Sequence, residues 1–389
     1  MSNGTLRILI AADIPEDLNS GVAGSEFQAA RALRDLGHQV ETCWASSLPH
    51  RIRHPNLHAL FELTRSYAEV LSRTPEVRYD VYQFNQVFAH RAARFHKQHR
   101  LDGVFVTRSH GYEARALETL DLWHARLRVP RRRWMTRLPG LAIDSMILRA
   151  SADAARWSDG LLVSCQEDQD FVMTRYGIAP ERVAMIPQAP PPEYQRMPVT
   201  AFTRQRTRGL LFVGPLRMWK GVHVLRAILG PLLSEADETT ATLVVPEADR
   251  EAAGSLVGPD LRSRLTVRGP ISQAELMTAY DTHGILLFPS LFEGFGKVVV
   301  EAMSRGMCVV ASRLGAARLA IEDGRTGRLV TPGDSMTFEE AVRVLLRDPE
   351  RLLQMGRDAQ TAAAHLTWEA FAQESASFYR RLLEQRYAS

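Results

Sequence analysis

The sequence predicts an α/β protein built from two doubly wound domains. Short β-branched or aliphatic runs alternate with amphipathic stretches along almost all of its 389 residues, the pattern of βαβ units around parallel sheets. A proline-rich segment then divides those runs into two sets of five. The length agrees, because roughly 100–200 residues support one hydrophobic core.

In chain order, the first set of strands is expected at Leu6 to Ala12, Val40 to Trp44, Val81 to Phe84, Gly103 to Thr107 and Gly160 to Ser164. Pro187-Gln188-Ala189-Pro190-Pro191-Pro192, followed by Pro198, can continue neither a helix nor an inner strand, so 191–205 is expected to be a linker between domains at 1–190 and 206–370. The second set follows at Leu210 to Val213, Thr242 to Val245, Leu265 to Val267, Ile285 to Phe288 and Cys308 to Ala311. Beyond Asp334 the pattern is helical. Trp368, Phe371, Phe378 and Tyr379 share one side of the last helix, so 371–389 is expected to pack back on the N-terminal domain.

Hydrophobic residues make up 45% and charged residues 24%, which excludes collagen-like, mucin-like and largely disordered chains. Of 48 basic residues only Lys97, Lys220 and Lys297 are lysines, leaving 45 arginines. The net charge of +4 is too small for a protein that coats nucleic acid, so no nucleic-acid partner is expected. Cys43, Cys165 and Cys308 fall in no metal-binding spacing, which points to a reducing, cytoplasmic setting and to no metal. The N-terminus reads as a first strand and not a signal peptide, and no apolar run approaches the ~20 residues of a membrane span.

One stretch breaks the mixing of charges. Between Leu122 and Ile143 there is no acidic residue, while Arg126, Arg128, Arg131, Arg132, Arg133 and Arg137 interleave with Trp123 and Trp134. Such a segment fits an anionic membrane surface, where each nearby Arg contributes ~1 kcal/mol. A solvated arginine-rich loop is the competing reading, since Pro130 and Pro139 interrupt any single long helix.

The segment richest in chemistry is Pro289-Ser290-Leu291-Phe292-Glu293-Gly294-Phe295-Gly296-Lys297, running on to Glu301, directly after a strand. A strand that ends in a glycine turn and opens a helix presents backbone N–H groups and a positive dipole end, which suits a phosphate. Glu293 in the turn and Glu301 in the helix are strong acceptors for sugar and ribose hydroxyls. Upstream, Phe212-Val213-Gly214-Pro215-Leu216-Arg217-Met218-Trp219-Lys220-Gly221 is a second strand, glycine turn and helix start.

Together with Pro332-Gly333-Asp334 downstream, these elements closely resemble the donor-binding domain of retaining glycosyltransferases of the GT-B fold, glycosyltransferase family 4. Gly21-Val22-Ala23-Gly24-Ser25-Glu26 and Ser109-His110-Gly111 are similar to features of its N-terminal domain. The resemblance implies two Rossmann-like domains facing across a cleft. A UDP- or GDP-sugar would bind the C-terminal domain through Gly214, Arg217, Lys220, Gly294, Phe295, Gly296 and Lys297. It further implies that Glu293 holds the transferred hexose, Glu301 the ribose, and that His110 faces the sugar. A glycan or lipid-linked acceptor, with Gly21, Gly24 and Ser25 as its phosphate or acceptor loop, would meet the N-terminal domain. Transfer would retain anomeric configuration with no metal and no other cofactor, for polysaccharide synthesis at the inner face of the membrane.

The departures from the family pattern are Pro215 after the first glycine, Gln188-Ala189 in place of Asn-Gly, and Leu319 where a carboxylate is common. They motivate an alternative, a nucleotide-sugar-binding accessory protein with impaired catalysis; an epimerase is the lesser one. Asp168-Gln169-Asp170 is expected to cap a helix, with Ser164 and Glu167 as its capping box, and not to bind metal. Ser25 is expected to be the N-cap of the first helix.

Overall fold

The computed structural model describes residues 4–15, 21–72, 78–130, 137–199, 202–235 and 238–388. Of the proposed membrane segment, Arg131, Arg132, Arg133 and Trp134 lie outside the described residues. The chain forms two compact units, Met1–Gln188 with Trp368–Ser389, and Ala189–Thr367. Each unit is one six-stranded parallel sheet flanked by helices.

In the first unit the strands are β1 (Arg7–Ala11), β2 (Gln39–Cys43), β3 (Val81–Asn85), β4 (Val104–Arg108), β5 (Gly160–Val163) and β6 (Val183–Met185), in the order β2-β1-β3-β4-β5-β6. Register is continuous, with Ile8 beside Val40 and Val81. Leu9, Ala11, Tyr82, Phe84 and Phe105 pack on one face. The opposite face is closed by the last helix, Trp368–Ala388. Tyr379 donates its hydroxyl to Gln83 Oε1 at 2.5 Å, and a Cβ at Gly160 would come within 2.5 Å of Leu382. The aromatic stripe expected to need a partner has this one.

In the second unit, β7 (Gly209–Val213), β8 (Thr240–Val244), β9 (Leu265–Arg268), β10 (Ile285–Phe288), β11 (Cys308–Ser312) and β12 (Arg328–Val330) pair in the order β12-β11-β10-β7-β8-β9. Successive side chains alternate between two cores. Leu210, Phe212, Ile285, Leu287 and Val310 enter one, and Leu211, Leu286, Phe288, Val309 and Ala311 the other. A parallel sheet covered on both faces requires near-continuous apolar strands, which is what the sequence has. Each fully buried Leu, Ile or Phe contributes about 1.5–3 kcal/mol.

Three expectations need correction. The segment 191–205 is not a free linker: Pro192–Arg196 is a short helix, Tyr194 is buried, and Arg305 donates to the carbonyls of Tyr194, Met197 and Pro198. The last helix begins at Trp368 and not at 371, because Trp368 and Phe371 already pack together in its first turn. Each sheet has a sixth strand beyond the five expected, β6 and β12, whose three residues are too few to show a period of their own.

Candidate functional site

In doubly wound sheets, ligands bind beyond the strand carboxyl ends where strand order reverses. In the second unit that point lies between β7 and β10, and the two motif turns leave the sheet there. They interlock. Leu291 N–H donates to the Trp219 carbonyl at 2.7 Å, and Gly221, at φ +75°, presses so close that a Cβ would lie 2.0 Å from the Pro289 carbonyl oxygen. Only glycine fits, which accounts physically for the Lys220-Gly221 pair. Gly296, at φ +88°, packs on the Phe288 ring, where a Cβ would come within 2.7 Å. It caps the helix Lys297–Ser304.

The interlock sets the charges. Lys220 Nζ lies 2.6 Å from Glu293 Oε1, which also accepts from Ser290 Oγ at 2.7 Å. Gly214, at φ +145°, lies against the Lys220 stem, 3.8 Å from where its own Cβ would stand. Glu301 is buried one helix turn beyond Lys297. Its Oε2 accepts from the Tyr280 hydroxyl at 3.0 Å, and Lys297 Nζ stands 3.7 Å from Oε1. Burial, and then Glu301, push the Tyr280 hydroxyl well above its ordinary range, so it stays a donor. Lys297 therefore stands beside Glu301. Arg217 donates to Asp249 Oδ1 at 2.7 Å, so a diphosphate would have to compete with that carboxylate for it. Gly294 and Phe295 lie in the turn between Glu293 and the helix, and the Phe295 carbonyl accepts from Ala316 N–H at 2.6 Å. Leu319, where a carboxylate is common, is exposed.

In the first unit the structure assembles a network that sequence reasoning identified only in part. His110 Nε2 lies 2.5 Å from Glu26 Oε1, and its Nδ1 faces the Gln188 amide nitrogen at 3.2 Å. With that donor at Nδ1, the ring's Nε2–H donates to Glu26 Oε1. The His110 side chain is only 5% exposed, so it is held by protein groups on both nitrogens. Arg108, fully buried, places Nη1 3.1 Å from Glu26 Oε1. Burial pushes the Glu26 carboxyl up, but Arg108 and then His110 outweigh it and hold it below the usual range.

Ser25 is not an N-cap. The helix already begins at Gly21, Gly24 is buried within it, and Ser25 Oγ reaches the Gly21 carbonyl at 2.8 Å and Gln188 Oε1 at 2.9 Å. The capping box also fails, since the helix begins at Gln166 with Cys165 at its N-cap, and Ser164 Oγ instead accepts from Gln188. Asp168 is a buried partner of Arg115, 2.5 Å from its Nε, and not a surface cap. Arg108 and the pairing role of Glu26 were missed, and Gln188 was noted only as a departure from the family pattern. The only signal for Arg108 and Glu26 is polarity at positions where strand and helix periodicity demand apolar residues.

Arg126 stacks on Trp123 at 5.1 Å, and Arg128 is exposed. Leu122 and Leu138, 72% and 79% exposed, stand on the helices Glu113–Arg126 and Arg137–Trp157 that flank the undescribed residues. Pro139 is accommodated in the first turn of the second of these, where no N–H is required of it. No described helix is long and apolar enough to cross a membrane.

Residues 207–348 match the family Glycosyl transferases group 1. The D-inositol 3-phosphate glycosyltransferase of Corynebacterium glutamicum is 29% identical over 241 residues, 57% of this chain and 57% of that protein. The chain thus spans little more than half the length of the curated relatives it matches. Among solved structures, a sucrose-phosphate synthase from Thermosynechococcus elongatus superposes with a TM-score of 0.71 at 18% identity, covering 98% of this chain and 99% of that one. HepE of Anabaena, in complex with UDP and glucose, gives 0.66 at 18% identity, over 96% and 98%. At such identities these two likenesses carry the fold alone. Residues 207–348 thus match a glycosyl transferases group 1 domain, and the two six-stranded parallel sheets share the GT-B fold of these solved structures.

Proposed function

We propose that the chain is a retaining hexosyltransferase that moves sugar from UDP- or GDP-hexose to a glycan or lipid-linked acceptor of the cell envelope, with no metal at the donor site. The observation that carries this reading is the Lys220–Glu293 pair at the switch point of the second sheet. As the glycosidic bond breaks, negative charge collects on the leaving diphosphate, and a fixed ammonium beside it stabilises the transition state more than the ground state. Glu293, oriented by Lys220 and Ser290, is suited to accept sugar hydroxyls. Glu301, oriented by Tyr280, is suited to the ribose. His110 and Ser25, joined through Gln188 in the first unit, serve the acceptor side. The relative named a D-inositol 3-phosphate glycosyltransferase supports the glycosyl-transfer part of this reading.

Incubation with UDP-glucose, UDP-N-acetylglucosamine and GDP-mannose, read as nucleoside diphosphate release, tests the activity. One donor should be consumed, slowly without acceptor and faster with a membrane extract, and the product should keep the donor's anomeric configuration. Tight nucleotide binding with no turnover on any extract would favour the accessory-protein reading, and interconversion of donors without acceptor the epimerase.

The membrane location rests on the Arg126 to Arg137 segment and the exposed leucines beside it. Binding to vesicles containing an anionic lipid should be clear at low salt and weaken as salt screens the arginines. Equal binding to neutral and anionic vesicles would remove the membrane from the proposal.

A further inference from the structure

Three side chains far apart in sequence meet just past β1. Asp13 places Oδ1 2.7 Å from His50 Nε2 and Oδ2 3.0 Å from His58 Nε2. Its carboxylate and the two ring nitrogens all lie within 4.8 Å of one another. The far side of each ring is also specified. His50 Nδ1 stands 3.0 Å from the Leu48 carbonyl, and His58 Nδ1 stands 2.9 Å from Glu62 Oε2. Glu62 is itself fixed, accepting from the backbone N–H groups of Arg51 and Ile52 at 3.0 Å.

We propose that Asp13, His50 and His58 form a binding site for a divalent first-row transition ion, Zn²⁺ first among them, with a further coordination position for water or an oxygen ligand. Two imidazoles and one carboxylate are the donor set of many three-ligand zinc sites, and imidazole nitrogen selects against Mg²⁺ and Ca²⁺. The second observation is independent of that set. A histidine that ligates a metal almost always donates its other N–H to a carboxylate or carbonyl, which fixes tautomer and orientation. Leu48 and Glu62 occupy those two places. The rings are stacked, with centroids 4.7 Å apart and planes 17° apart, whereas a shared ion needs them to converge. His50, 45% exposed, has room to turn about Cβ–Cγ, and His58, 9% exposed and held by Glu62, is the fixed ligand.

The site lies wholly in the first unit and uses none of the groups assigned to the donor, so it stands whether or not the transferase reading does. The full-length protein, stripped with a chelator, is titrated with Zn²⁺ against a chromophoric competitor, with Mg²⁺ as the hard-cation control. One Zn²⁺ per chain is expected, and Co²⁺ should give the visible absorption of a tetrahedral site. His50→Ala, at an exposed position, should remove that absorption while leaving the thermal melt of the ion-free protein intact. Glu62→Gln, which touches no ion, should weaken Zn²⁺ by about 10- to 100-fold. Absence of Zn²⁺ binding, or equal affinity in the wild type and His50→Ala, overturns the proposal and leaves a hydrogen-bonded His-Asp-His cluster.

Discussion

Replacing Lys220 by alanine is expected to lower donor turnover by roughly 100- to 1000-fold, about 2.7–4 kcal/mol of transition-state stabilisation. The ammonium is fixed by Glu293 at 2.6 Å and lies over the Phe288 ring, 5.8 Å from its centroid. It therefore needs little reorganisation when charge develops. The loss should fall mainly on kcat, since an interaction made in the transition state alone lowers kcat and kcat/KM together. Lys220→Ala also removes the ammonium beside Glu293, which is only 9% exposed, and so acts on stability as well as on catalysis. The double variant Lys220→Met with Glu293→Gln separates the two. It removes both charges of the pair, should restore the thermal melt, and should remain inactive. Lys220→Arg should also be impaired, because a planar fork does not deliver charge from the same point as a compact ammonium. Turnover at the wild-type rate in Lys220→Arg would show that any fixed cation suffices there, and wild-type turnover in Lys220→Ala would remove Lys220 from the mechanism.

What the sequence discloses here depends on how local the physics is. The inner strands are visible because a sheet covered on both faces needs uninterrupted apolar runs, as in Ile285 to Phe288. The Lys220 turn and the Glu293 turn are visible because each is a contiguous strand, glycine turn and helix start. Their contact is not visible in the same way, since it depends on β7 and β10 being neighbours although β8 and β9 intervene in sequence. The Glu26 network is still less local. Glu26 looks like an ordinary polar residue in a first helical turn, and Arg108 reads as one more of 45 arginines until the fold buries both. Ser164 and Glu167 have the spacing of a capping box, but the helix starts one residue later, with Cys165 at its N-cap, and Ser164 meets Gln188 from the far end of the domain. The Asp13, His50 and His58 cluster is assembled across 45 residues with no metal-binding spacing, so composition and motif are silent about it.

Glu26→Ala should destabilise the first unit by about 3–5 kcal/mol, the range for breaking a buried ion pair from one side. Both side chains are fully buried, so solvent does not screen the pair. Among the described residues, Arg108 Nε and Nη2 have no hydrogen-bond partner, and its guanidinium lies over the Phe371 ring, 4.6 Å from the centroid. Glu26 is thus the compensating charge for a cation packed beneath the C-terminal helix. At ~2–4 °C per kcal/mol for a unit of this size, the melting midpoint should fall by roughly 10 °C, with the loss of helix Trp368–Ala388 from the sheet among the first events. The sign of the pH dependence follows from the lowered carboxyl. A group whose folded pKa lies below its unfolded value contributes stability above the unfolded pKa, and that contribution is lost as pH falls through the folded value. Glu26→Gln should accordingly flatten the acid limb of the stability curve while lowering its neutral plateau. Replacing both partners, Glu26→Leu with Arg108→Met, should recover most of the midpoint, because no buried charge is then left alone. It should not recover activity, since His110 loses the acceptor that holds its Nε2. Thermal melts of the four proteins between acid and neutral pH decide the matter, and a Glu26→Ala midpoint equal to the wild type would show that Arg108 finds its compensation elsewhere.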